Sequence, residues 1–194
     1  MRKTSALFLV LLLLKQSAAF SIECLRIADF NRCEKPNLIS GDYGSWNRTK
    51  WDRTQFSNED FVTDPAIAYC GRGCSLAIYY DVDSPNPPVY NGFWMRLERI
   101  DLRDWRYLSF YVKGDEKEGF TTTFKVNIKS IQGKIASFTV EGITSEWQEV
   151  IIPFNRMNQE ADFSEAYELV IVFDERDVTE LTGRIYLDEF YLYK

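Results

Sequence analysis

From Leu76 to the C-terminus the chain is a succession of short runs rich in Val, Ile, Phe, Tyr and Thr, separated by turn signals and almost free of 3.6-residue periodicity. The runs predict strands near 76–82, 92–98, 107–113, 122–130, 135–140, 147–153, 168–174 and 184–193. Strands without intervening helices must bury their apolar faces on one another, which predicts an all-β fold of two packed antiparallel sheets, a sandwich or jelly roll. The turns agree. Lys113-Gly114-Asp115 and Gln132-Gly133-Lys134 separate runs, and Ser84-Pro85-Asn86-Pro87-Pro88 is a rigid loop that no central strand could hold. A single helical turn is expected within 155–167. Residues 20–70 are less regular and predict one N-terminal strand through Leu25 to Phe30, then a long loop region wrapping one end of the sandwich.

Residues 1–19 combine a basic start, the apolar run Ala6 to Leu14, and small residues at Ser17, Ala18 and Ala19. This is the pattern of a secretory signal peptide, so a single domain over 20–194, secreted or periplasmic and not inserted in a membrane after cleavage, is expected. Removing that segment takes away three basic residues and no acid, so the formal charge moves from −6 to −9. Such a charge opposes a phosphate backbone, and nucleic acid is not an expected partner. The chain has no histidine, which removes Ser-His-Asp and Cys-His catalysis and histidine metal sites together.

The four cysteines form two local sets, Cys24 with Cys33 and Cys70 with Cys74. In an oxidising compartment local pairing is the simplest of three possible connectivities, with a CxxxC metal or redox site as the sharper alternative. Asn47-Arg48-Thr49 is a glycosylation sequon. The last run, GRIYLDEFYLYK, poses a problem of its own. Strict alternation puts Ile185, Leu187, Glu189, Tyr191 and Tyr193 on one side and Tyr186, Asp188, Phe190 and Leu192 on the other, so an acid falls among hydrophobes on each. A buried carboxylate needs a cation or several hydrogen bonds.

The order ADF, NLISGDYGSW, YNGFW, DLRDWRYLSFYVKGD, SEWQEVIIPF and GRIYLDEFYLY, from about Ala28 to Leu192, resembles the carbohydrate-binding modules of the galactose-binding-like jelly-roll superfamily. Family 11 modules and the related complex I intermediate-associated protein 30 domains carry this likeness; the chain lacks the glycine-rich signature of the latter. The resemblance implies a structural calcium between the first strand, its following loop and the last strand, with Asp29 and Asp188 as ligands and Asn31 or a loop carbonyl as a supplement. The competing partner for Asp188 is backbone N–H or an arginine such as Arg26.

Alternation assigns Leu76, Ile78, Tyr80, Val82, Phe93, Met95, Leu97, Leu108, Phe110, Val112, Phe124, Val126 and Ile128 to the core. If their strands share one sheet, its other face displays Tyr79, Asp81, Trp94, Arg96, Tyr111, Lys113, Asn127 and Asp174. Pyranose C–H faces pack on Trp and Tyr rings, and planar Asp, Asn and Arg groups pair with adjacent hydroxyls. Trp105 and Trp147 read as plugs at the sandwich ends, whereas Trp46 and Trp51 could form a second platform. The expected function is a secreted, non-catalytic protein that binds an oligo- or polysaccharide on a calcium-stabilised jelly roll. The alternatives are an extracellular protein-interaction module and a glycoside-active enzyme, for which no alternating acid triplet is found on one strand.

Overall fold

The structure, a computed structural model, describes residues 23–159 and 161–194; the signal-peptide expectation lies outside the described residues. Twelve strands are arranged in two antiparallel sheets: β1 (Cys24–Ala28), β2 (Tyr43–Asn47), β3 (Phe56–Val62), β4 (Ser75–Asp81), β5 (Tyr90–Ile100), β6 (Tyr107–Gly114), β7 (Thr123–Ser130), β8 (Ile135–Glu141), β9 (Gln148–Pro153), β10 (Asn158–Gln159), β11 (Ala166–Asp174) and β12 (Thr182–Tyr193). The first sheet runs β3-β4-β12-β6-β9, with β1 also pairing to β12, and the second runs β10-β8-β7-β11-β5-β2. Among the described residues no helix is long and apolar enough to cross a membrane. The helical content expected within 155–167 is two 3₁₀ turns, at Phe154–Arg156 and Phe163–Glu165.

All thirteen core residues named by alternation are buried between the sheets. Tyr80 of the first sheet stacks on Phe173 of the second at 4.1 Å, and Phe110 stacks on Phe190 at 4.9 Å. The first and last strands do lie together, because β1 pairs with the second half of β12, Leu25 opposite Leu192 and Arg26 opposite Tyr191.

Three expectations are corrected. Residues 20–70 hold three strands, since β2 and β3 follow β1 and each forms an edge of a different sheet. The last strand does not alternate throughout. A bulge between Asp188 and Tyr191, with Glu189 at φ 53°, switches its phase, so that Ile185, Leu187, Phe190 and Leu192 all reach the core while Tyr186, Asp188, Tyr191 and Tyr193 turn to the outer face. The cysteines do not pair locally. Cys33 is bonded to Cys74 across 41 residues with a Cα–Cα distance of 5.6 Å, and Cys24 and Cys70 are free and exposed. Extended β1 carries Cys24 away from the turn that holds Cys33, and Cys24 ends opposite Tyr193.

Candidate functional site

The outer face of the second sheet holds a groove of about 810 Å³, within the range of small-molecule sites. Its floor follows from strand register. One row crosses all six strands: Gly44, Trp94, Val170, Asn127, Ser137 and Asn158. A Cβ on Gly44 would stand in ordinary contact with the Trp94 indole at 3.4 Å, so the ring lies close over the edge strand. The next row is Trp46, Gly92, Val172 and Lys125, and beyond it Tyr90 faces Asp174. On the other side of Trp94, Arg96 faces Glu168, which faces Lys129. Small residues thus lie between aromatic rings on one flank and cationic stems on the other.

The polar groups are held by local contacts. The Arg96 guanidinium lies 4.1 Å from the Tyr167 ring and 5.2 Å from that of Trp94, an arrangement favoured by cation–π attraction. Trp46 and Tyr90 touch at 5.8 Å between ring centres. Ser137 donates to Asn127 Oδ1 at 2.7 Å. Asp174 accepts a two-pronged hydrogen bond from Arg176, at 2.9 and 2.6 Å, which holds its carboxyl below the usual range despite partial burial. Lys125 Nζ reaches Asp177 at 2.5 Å.

Of the expected sugar-contacting residues, Trp94, Arg96, Asn127 and Asp174 come together in this groove. Tyr79, Asp81 and Tyr111 do not, because β4 and β6 belong to the first sheet, as does Lys113. Tyr79 lies under the Arg184 guanidinium at 4.1 Å, Asp81 accepts from the Asp83 N–H, and Tyr111 packs on Tyr69 at 4.2 Å. Alternation had sorted inward from outward correctly, but it carries no information about which sheet a strand joins. The groove adds Trp46, Tyr90, Lys125, Lys129, Glu168 and Arg176. Tyr90 could have been found by running the Trp94 phase back four residues, and Lys125 and Lys129 share the phase of Asn127. Trp46 joins this groove and not a second platform; Trp51 stands 81% exposed beside Lys50. Trp105 packs on the core as expected, whereas Trp147 lies against Tyr69 and donates its indole N–H to Ile67 O at 2.9 Å.

At the junction of β1 and β12 the structure gathers Asp29, Asn31, Asp188 and Glu189. Arg26 pairs with Asp29 at 3.0 Å and with Glu189, and the Asn31 N–H donates to Asp29 Oδ1 at 3.2 Å. Asp188 is buried and accepts from Ser75 Oγ at 2.6 Å and from the Glu189 N–H at 2.8 Å. Burial pushes its carboxyl up to about 7, helped by the charges of Glu189 and Asp29 and opposed by those two hydrogen bonds. Asp188 has no ion-pair partner among the described residues. Nor do three His, Cys, Asp or Glu side chains among the described residues form a metal-holding group by themselves.

A model of the family described as carbohydrate binding domain 30 matches residues 37–194. Among solved structures, the chain is similar to the family 11 carbohydrate-binding module of the cellulosomal cellulase Lic26A-Cel5E of Clostridium thermocellum, with 16% identity over 89% of this chain and 95% of that one and a TM-score of 0.62. It is also similar to the family 30 module of the cellulosomal cellulase Cel9D-Cel44B of Clostridium thermocellum, with 16% identity, coverage of 88% and 96%, and a TM-score of 0.59. A third likeness is the CBM22-1 xylan-binding domain of Paenibacillus barcinonensis Xyn10C, with 17% identity, coverage of 91% and 97%, and a TM-score of 0.52. No curated protein matches the chain. At these identities the structural likenesses establish the two-sheet fold.

Proposed function

Because the chain belongs to the family described as carbohydrate binding domain 30, we propose that it is a secreted, non-catalytic protein that holds an oligo- or polysaccharide in the groove of the second sheet. The observation that carries this reading is the row in which half-buried Trp94 stands beside Val170 and Asn127, giving one stacking ring and planar hydrogen-bonding groups on a floor low enough to admit a sugar chain. Each sugar hydroxyl bonded here gives up a bond to water, so affinity is modest and rests on the ring contacts.

The absence of catalysis is supported by the ion pairing of the two groove carboxylates. A glycoside hydrolase needs one carboxyl kept protonated as a general acid, and Asp174 is held the other way, ionised by Arg176. Glu168 lies between Arg96 at 3.5 Å and Lys129 at 3.7 Å. Secretion is supported by the leader pattern of residues 1–19 and by the Cys33–Cys74 disulfide, a bond that persists in oxidising compartments.

A structural calcium belongs to the same proposal. Asp29, Asn31 and Asp188 fit it in kind, being oxygen donors, and Asp188 is a buried acid whose neighbouring cation Arg26 is taken by Asp29 and Glu189. Loop carbonyls and water would have to complete the six to eight ligands that calcium takes. Calcium is expected to raise the melting temperature of EDTA-treated protein by several degrees; an unchanged melt leaves Arg26 as the cation of this cluster.

Affinity electrophoresis in gels cast with a polysaccharide panel tests the main reading. Retardation by at least one polymer, lost in Trp94→Ala and without release of reducing sugar, is the expected result. Migration unchanged in every gel refutes the reading, and reducing-sugar release refutes the non-catalytic part.

A further inference from the structure

We infer that the glycan held in this groove is an acidic one, carrying carboxylate or sulfate groups; the inference rests on the groove being the sugar site. The whole chain has a formal charge of −6, yet the groove is lined by four cations, Arg96, Lys125, Lys129 and Arg176, against two carboxylates, Glu168 and Asp174, with Asp177 paired to Lys125. The excess is sharpened by depth. The Glu168 and Asp174 side chains are 13% and 10% exposed on the floor, whereas those of Arg96, Lys125, Lys129 and Arg176 are 29, 35, 42 and 69% exposed. An entering ligand therefore meets positive charge first.

The cations are also placed in pairs. Register sets Arg96 and Lys129 on either side of Glu168 at one end of the groove, while Lys125 and Arg176 lie toward the other end, on the Val172 and Asp174 side. Lys125 and Lys129 are four residues apart on β7, which at about 3.3 Å per residue separates the two ends by about 13 Å, with the Trp94 row between them. Acid is in short supply at the first end. Glu168 serves two cations at 3.5 and 3.7 Å, distances longer than a charge-assisted hydrogen bond, and Arg96 Nη1 is buried without a hydrogen-bond acceptor among the described residues. The other end is matched, Lys125 with Asp177 and Arg176 with Asp174, so a carboxylate or sulfate over the Arg96 and Lys129 end, with a pyranose ring on Trp94 beside it, supplies the charge that is lacking. A neutral glycan would leave Arg96 and Lys129 sharing one carboxylate.

The test compares three polymers with the full chain, by affinity electrophoresis or titration calorimetry: polygalacturonate for carboxylate, dextran sulfate for sulfate, and mixed-linkage β-glucan as the neutral reference. Binding to at least one acidic polymer is expected to be tenfold or more tighter than to the neutral one at about 50 mM salt. The gap should close toward 500 mM, where screening shortens to a few ångströms. Which acidic polymer binds identifies the anion. Lys125→Gln with Lys129→Gln should weaken acidic binding at least fivefold with an unchanged melt, while Lys113→Gln on the opposite sheet changes nothing. Neutral glucan bound as tightly as the acidic polymers, or acidic binding that ignores the double substitution, overturns the inference and leaves the carbohydrate reading standing. Binding to no polymer overturns both.

Discussion

The two outer faces of the sandwich are built from the same residue types and do opposite things. Each carries tyrosine, tryptophan, arginine and acid. On the second sheet Val170 and Val172 line a low floor between the rings and the charged side chains, and a groove remains. On the first sheet the segment before β4 folds back over the strands: Tyr69 sits on Tyr111 and Trp147, the Tyr69 N–H bonds Ser75 Oγ, and Ser75 in turn holds Asp188. The disulfide from Cys33 to Cys74 fixes the base of that cover. Farther along, Arg184 lies between Tyr79 and Asp115, and the Tyr186 hydroxyl donates to the same carboxylate. An aromatic, charged face therefore adds stability where a segment roofs it and stays open to a ligand where its floor is low. Composition does not separate the two outcomes.

The contrast can be broken by substitutions that should move stability on one face and affinity on the other. The largest effect is expected from Cys33→Ser with Cys74→Ser. Closing a loop of 41 residues contributes about 4 kcal/mol in the chain-entropy treatment, readable as a fall in the urea midpoint. Next, Arg184→Ala leaves the Asp115 carboxylate without its cation and should cost about 2 to 3 kcal/mol of stability, with no change in glycan affinity. The same pair predicts a pH dependence. Burial would raise the Asp115 carboxyl, but the Tyr186 hydroxyl, the Lys117 and Glu118 N–H groups and Arg184 outweigh it and hold the group below its ordinary value. Its stabilisation is then present above about pH 4 and lost as pH falls through the folded-state value, and acid titration of unfolding should be shallower in Arg184→Ala.

On the open face, Trp94→Ala should weaken polysaccharide binding by about 2 kcal/mol, near thirtyfold, with stability almost unaltered. The smallest effect is expected from Tyr111→Phe, which should leave affinity within twofold. A large loss of binding there would mean that the roofed face also takes part and that the division drawn above is wrong.

Much of the scaffold was legible because strands β4 to β9, β11 and β12 are long enough to stand out as apolar runs; alternation named the inward residues of β4 to β7 one by one, and in β12 the bulge defeated it. β2 and β3 were not. YGSWN is too short and too small in side chain, and FSNEDFV places polar residues at an exposed edge, so neither presents an apolar stripe. The groove was half visible for a related reason. Parity turned Trp94, Arg96, Asn127 and Asp174 outward correctly, but β4 and β6 pair through β12 while β5 and β7 pair through β11, a crossing between sheets fixed by contacts far apart in the chain. Trp46 was missed as a groove residue because its strand was missed. Cys33 and Cys74 were misassigned because sequence proximity was given more weight than the path of β1.

The bulge near the end of β12 restricts how this chain can vary in length. Because Glu189 is the one extra residue by which the strand changes step, its removal alone keeps Phe190 and Leu192 inward, whereas one residue lost or gained elsewhere in the strand with the bulge retained would send Tyr191 and Tyr193 inward in their place. Two rings with hydroxyls would then have to occupy space shaped for a phenylalanine stacked on Phe110 and a leucine. A single-residue gap should be tolerated where it takes out the bulge and not beside it, so the turn at Glu189 acts as a counting device that any working variant must respect.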